Sequence, residues 1–361
     1  MMNDSNMSGT ITSTSVMPLA NISKIIELED LSMAVFIITF VPSVVSIIAT
    51  IGFVYAFIKY KNNDSYNTLL TCLTIANGLT CFGVVMGAFH YKKDIPFGNS
   101  GAFCVIQSIL CTYFDMVADI YTLFVQINIC CRIAFGYICM RNRNAKLACH
   151  TSALTIPLMI VLAAIWRNAL GDSASLYGSW CWISDSLSNQ EKWIWMVVTK
   201  QGWELVVYFG TCFMFIIILY QRCRNQDVRC RSRDRTSQNN LSSINVPNER
   251  TRLRNSGNSS EDTEYAEASV NSVLVWVGIY FYLAKMWGTI RYGVNIYMLA
   301  FNDEISNFLP LEKYFLIFMQ SLGDSLQATI TFCIFVLKDN ELRGKLSNDI
   351  WGKRTAKTTN D

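Results

Sequence analysis

Seven long apolar segments, each near the thickness of a bilayer, run through this chain of 361 residues. Two of them, Leu31–Ile58 and Thr68–Phe89, contain no Lys, Arg, Asp or Glu. About 20 predominantly apolar residues cross a hydrocarbon core as a helix, so both segments are long enough to span it. Five more follow at Phe103–Cys131, Cys149–Ile165, Trp193–Tyr220, Ser272–Leu299 and Tyr314–Leu337. The pattern predicts an all-α membrane protein, a seven-transmembrane helix bundle, whose odd number of spans puts the termini on opposite sides.

Lys and Arg set the orientation. The loops after spans one, three and five, together with the C-terminal tail, carry 21 of the 30 basic residues. They include Arg132, Arg141, Arg143, Arg222 and Arg224. The opposite face has only Lys24, Lys92, Lys93, Lys192 and Lys313. The positive-inside rule then places the N-terminus outside and the C-terminus in the cytoplasm.

Three regions follow from this layout: a short extracellular N-terminus (1–30), the seven-helix domain (31–337) and a cytoplasmic tail (338–361). Positions 1–30 have no basic start followed by an apolar run, so no cleavable signal peptide is expected and span one would itself direct insertion. Asn3, Asn6 and Asn21 head glycosylation sequons on the expected outer side. The cytoplasmic loop 221–269 is rich in Arg, Ser and Asn and then acidic, a composition that predicts disorder. Its first part can continue span five as a basic helix on anionic lipid. In the tail, Leu342, Leu346 and Ile350 recur every fourth residue among basic neighbours, as in an amphipathic helix on the inner leaflet.

Of 13 cysteines, eleven fall in spans or on the cytoplasmic side, where thiols are expected. Cys104, at the outer end of span three, and Cys181, in the loop between spans four and five, are placed for the oxidising side, which predicts a disulfide pinning that loop to span three.

Ionisable groups inside spans are costly and should face the bundle interior. On span three Gln107, Cys111, Asp115 and Asp119 recur every four residues, and Thr122 and Gln126 continue the stripe. Span five carries Lys200 and Glu204, span six Trp287 and Arg291, and span seven Asp324. At about 1.5 Å per residue, the charged members fall roughly 10 to 16 Å below the outer ends. Gln107, Asp115, Lys200, Glu204, Trp287, Arg291 and Asp324 are therefore the candidate ligand-binding residues, with Lys200 and Arg291 suited to an anionic small molecule. The competing reading is polar glue, with Lys200 paired to Glu204 and Arg291 to Asp115 or Asp324. His90 and His150 lie on opposite faces, so no metal site, cofactor or histidine-dependent enzyme is expected.

The motifs Cys104-Val105-Ile106-Gln107, Ala118-Asp119-Ile120-Tyr121-Thr122, Cys181-Trp182-Ile183 and Ser321-Leu322 to Gln327-Ala328 resemble those of the slime-mould cyclic-AMP receptors and their fungal and metazoan relatives. That family neighbours the secretin and adhesion receptors. Trp287 and Arg291 look like its Trp and Arg in span six. The usual proline there is absent, and Gln327 stands where an Asn is usual. The resemblance implies a G-protein-coupled receptor of the plasma membrane that takes a small extracellular ligand. Its partners would be a heterotrimeric G protein, met by Arg132, Arg141, Arg143, Arg222 and Arg224, and membrane lipid, with no nucleic acid. A polytopic transporter or channel is the alternative, in which the intramembrane charges line a path.

Overall fold

The computed structural model describes residues 19–60, 65–92, 101–136, 140, 142–171 and 181–242, a few positions between 290 and 323, and a helical stretch at 325–333. Helices α1 (Leu19–Tyr60), α2 (Ser65–Lys92), α3 (Gly101–Ala134) and α4 (Arg143–Trp166) are followed by a two-stranded antiparallel hairpin, β1 (Leu170–Gly171) and β2 (Trp182–Ile183). Helix α5 (Asn189–Met196) then runs through a π turn (Val197–Gln201) into α6 (Gly202–Ser242). Among the described residues five helical stretches are long and apolar enough to cross a membrane: Phe36–Lys59, Thr68–Phe89, Ala102–Arg132, Arg143–Trp166 and Asn189–Gln221. The expected span Ser272–Leu299 lies largely outside the described residues, and Tyr314–Leu337 is described in part, chiefly as the helical stretch 325–333.

Side-chain placement is inverted relative to a water-soluble bundle. On α1 the buried positions are Thr39, Ser43, Ser46, Ala49, Phe53 and Ala56, while Ile37, Val41, Val45, Ile48, Ile51 and Ile58 face outward. Helices in lipid gain nothing by hiding apolar surface from an apolar solvent. They pack through small and hydroxyl residues that allow close approach and cross-helix hydrogen bonds. Gly78 of α2 shows the tightness of this contact, since a Cβ there would stand 2.6 Å from Thr50 Oγ1. Ser43 Oγ lies 3.0 Å from Ser325 Oγ, and Ser46 Oγ donates to the Ser325 carbonyl and lies 2.9 Å from Thr329 Oγ1. The 325–333 stretch is thereby tied to α1.

Helix α3 is the hub, packing on α2, α4, α6, the π turn and both hairpin strands. One apolar cluster joins Phe53, Leu73, Val117, Tyr121, Val125 and Ala153. A second gathers Met116, Val161, Leu170, Trp182, Ile183 and Met196 beneath the hairpin. Asn168, at φ 50°, turns the chain out of α4 into β1, a left-handed conformation that Asn tolerates better than most residues. Ser188 and Glu191 form a reciprocal capping box that starts α5.

Two differences from the sequence expectation stand out. Helix α1 begins at Leu19, inside the stretch expected as a short outer segment, whereas α6 continues to Ser242 in the manner expected of a basic helix extending span five. Cys131, expected as a thiol, is disulfide-bonded. A compartment argument concerns the redox poise around a thiol and carries no information about which sulfurs the fold brings together. The tail helix and the remainder of 221–269 lie outside the described residues.

Candidate functional site

The hairpin is fastened to the end of α3 at three points. Cys104 and Cys181 are joined by a disulfide, with Cα atoms 5.2 Å apart. The Cys181 backbone N–H donates to Gln107 Oε1 at 3.3 Å, and Ser108 Oγ donates to the Gly171 carbonyl at 3.3 Å. Because Oε1 faces that N–H, the amide of the buried Gln107 is fixed in orientation, and its Nε2 lies against Gly87, where a Cβ would collide with it. Gln107 is thus a support of the hairpin as well as part of the stripe beneath it.

Below the hairpin the π turn controls where span five presents its side chains. Buried positions fall at Lys192, Met196, Thr199, Gln201, Glu204 and Val207, so the helical spacing of three or four is interrupted by a step of two, Thr199 to Gln201, where the turn lies. The Gly202 N–H closes the turn on the Val197 carbonyl, and a Cβ on Gly202 would stand 2.7 Å from that oxygen. Only glycine fits this approach. The Trp203 indole N–H donates to the Val198 carbonyl at 3.1 Å, covering an acceptor in the widened turn. Without the extra residue α5 would present a different face, and Met196 would leave the cluster under the hairpin. Such π turns are frequent at functional sites.

Lys200 is the charged centre of this region. Its Nζ is 2.6 Å from Asp115 Oδ2 on α3 and 3.8 Å from Glu204 Oε1 on its own span. The side chains of Lys200, Asp115 and Glu204 retain 13%, 21% and 0% of their exposure, so the pair belongs to the bundle interior while Asp115 keeps an edge toward open space. The sequence reading that paired Lys200 with Glu204 has the weaker of the two contacts. Deeper in, Gln126 Nε2 donates to Thr211 Oγ1 at 2.6 Å. Both cross-helix contacts join positions 85 apart, so α3 and α6 run parallel in register over three turns. The same offset brings Asp119 opposite Glu204 and Thr122 opposite Val207, all four buried. Asp119 lay on the predicted stripe without being among the candidate ligand-binding residues. Thr211 was not anticipated; the repeated offset would have identified it once the pairing of the two helices was known.

Of the sequence-predicted set, the structure brings Asp115, Lys200 and Glu204 together and puts Gln107 above them under the hairpin. Trp287, Arg291 and Asp324 lie outside the described residues. At the opposite end of the bundle Arg132, Arg143 and Arg224 are exposed. Arg141 and the side chain of Arg222 are outside the described residues, as are Asn3, Asn6 and the side chain of Asn21. Toward that end Tyr121 OH and His150 Nδ1, 2.9 Å apart, link α3 to α4. Among the described residues no group of three or more His, Cys, Asp or Glu is arranged to hold a metal ion.

Five long helices with bulky apolar side chains turned outward and charges turned inward define a multi-pass helical membrane protein. Its sequence is similar to G-protein coupled receptor 157 of Homo sapiens, 20% identical over 279 residues, which is 77% of this chain and 72% of that protein. The Mus musculus protein of the same name is 20% identical over 279 residues, covering 77% and 74%. The Rattus norvegicus one is 22% identical over 151 residues, so the aligned part spans 42% of this chain and less than half, 44%, of that relative. No family model matches the chain. The similarity is distant and points to a receptor of the G-protein-coupled class rather than to an enzyme.

Proposed function

We propose that this protein is a seven-helix receptor of the plasma membrane, with its N-terminus outside, that binds a small extracellular ligand and activates a heterotrimeric G protein. The observation that carries this reading is a similarity to G-protein coupled receptors that extends over 77% of the chain and so involves most of the bundle. The charged seam supports it, because a largely buried Lys–Asp–Glu group beneath a disulfide-fastened hairpin is expensive in a membrane and such groups mark functional positions. In this reading Gln107, Asp115, Lys200 and Glu204, with Trp287, Arg291 and Asp324, form the ligand site. Arg132, Arg141, Arg143, Arg222 and Arg224 meet the G protein or the inner lipid surface. The likeness to cyclic-AMP receptors makes nucleotides the first ligands to try.

Displacement binding across nucleotides, sugars and lipids, followed by a G-protein dissociation assay with each binder, tests the proposal. A binder should trigger dissociation in the wild type and lose that effect in Arg222→Ala/Arg224→Ala with its affinity, measured without G protein, unchanged. Binding without dissociation for any G protein would reject receptor function, and unchanged dissociation in the double variant would assign the two arginines to lipid contact.

A further inference from the structure

Lys200 stands between two carboxylates carried by two different pieces of the bundle. Asp115 belongs to α3; Glu204 belongs to the span that carries Lys200 itself. The nearer contact, at 2.6 Å, ties α3 to α6, and the farther, at 3.8 Å, ties the span only to itself. We propose that Lys200 is a two-position latch: engaged with Asp115 it holds the α3–α6 seam closed, and engaged with Glu204 it leaves α3 free to move against α6.

Three features make both positions accessible. The lysine amine sits on a flexible four-carbon stem with three rotatable donors, so it can exchange acceptors without a change of backbone fold. The two acceptors also differ in surroundings in a way that balances them. Asp115 gives the shorter contact at a half-open edge where water can take over the carboxylate on release, whereas Glu204 gives the longer contact at a fully buried position where a charge interaction is screened less. Finally, Lys200 lies inside the π turn, whose closure depends on the Gly202 approach to Val197, so its backbone is held by a less regular ladder than that of the flanking α-helix.

The seam below the latch is the part that would open. Gln126 and Thr211 share a neutral hydrogen bond about two turns beyond the buried Asp119 and Glu204 rung. With Lys200 on Asp115, one cation serves the α3 side of a seam that also buries Asp119. With Lys200 on Glu204, Asp115 loses that cation and the attraction across the helices weakens.

The latch is independent of the receptor reading, so its test uses ligand-free protein without any G protein. Spin-labelled residues incorporated in place of the exposed Arg132 and Arg224 report the distance between the far ends of α3 and α6. The latch predicts a two-population distance distribution in the wild type, loss of the shorter population in Asp115→Asn, and loss of the longer one in Glu204→Gln. Should Asp115→Asn fail to fold, Glu204→Gln decides alone, since loss of its longer population supports the latch and a wild-type distribution overturns it. Identical distributions in the wild type and both variants overturn it as well.

Discussion

The two sides of this bundle are held by different chemistry. Where α1 meets α2 and the 325–333 stretch, contact is made by Ser43, Ser46, Thr50, Gly78 and Ser325, residues small enough for the backbones to approach and neutral when buried. Where α3 meets α6, the facing positions include Asp115, Asp119, Lys200 and Glu204. Both seams are polar, yet they differ in what they cost the fold. A buried hydroxyl satisfied by a carbonyl is nearly neutral, whereas a charge inside the membrane survives only with its partner. The first seam therefore reads as assembly. The second holds charges that packing alone does not require, which is why the ligand site is proposed there.

That contrast has measurable consequences. Lys200→Met should be the most damaging single change, leaving the buried Glu204 and the half-buried Asp115 without their cation and costing about 3 to 5 kcal/mol in an SDS-unfolding titration. A loss no greater than that of a serine variant would erase the distinction between the seams. Cys181→Ser removes the covalent anchor of the hairpin above the charged seam and should cost about 2 to 4 kcal/mol, measured by thermal unfolding without reductant. If stability is unchanged, Gln107 and Ser108 alone hold the hairpin. Gly78→Ala forces a Cβ onto Thr50 in the small-residue seam and should cost about 1 to 3 kcal/mol, an overpacking effect that a paired Thr50→Ala variant, which lacks both Oγ1 and Cγ2, would relieve. Ser43→Ala should have the smallest effect, about 0.6 kcal/mol, the usual worth of a side-chain hydrogen bond between membrane helices.

Much of the bundle was legible in the sequence because length and hydropathy are sufficient to locate a span. The apolar segment Thr68–Phe89 lies wholly within α2, which runs three residues further at each end, Ser65–Lys92. Span four starts earlier than its hydropathy suggests, at Arg143 rather than Cys149, because its first turn is polar and capped by Asn142. Span five begins at Asn189 rather than Trp193 for the same reason, through the Ser188–Glu191 box. In the site, Asp115, Lys200 and Glu204 were visible as charges where charges are rare. Their pairing was not. Which carboxylate Lys200 meets depends on a π turn and on the register of α3 against α6, and a reading at constant helical period contains neither. The hairpin strands were equally hidden, since two-residue strands carry no periodicity.

The central claim is that this membrane protein is a receptor acting through a G protein, and nucleotide exchange in a defined system tests it most directly. Purified protein is reconstituted into vesicles with heterotrimeric G proteins of each class, exchange of GDP for a labelled GTP analogue is followed with and without the ligands found by displacement binding, and flux of the same compounds is measured in parallel. The account predicts ligand-dependent acceleration of exchange on at least one G-protein class, with no flux above that of empty vesicles. Ligand-driven flux with no change in exchange on any class would contradict it and make the protein a transporter or channel.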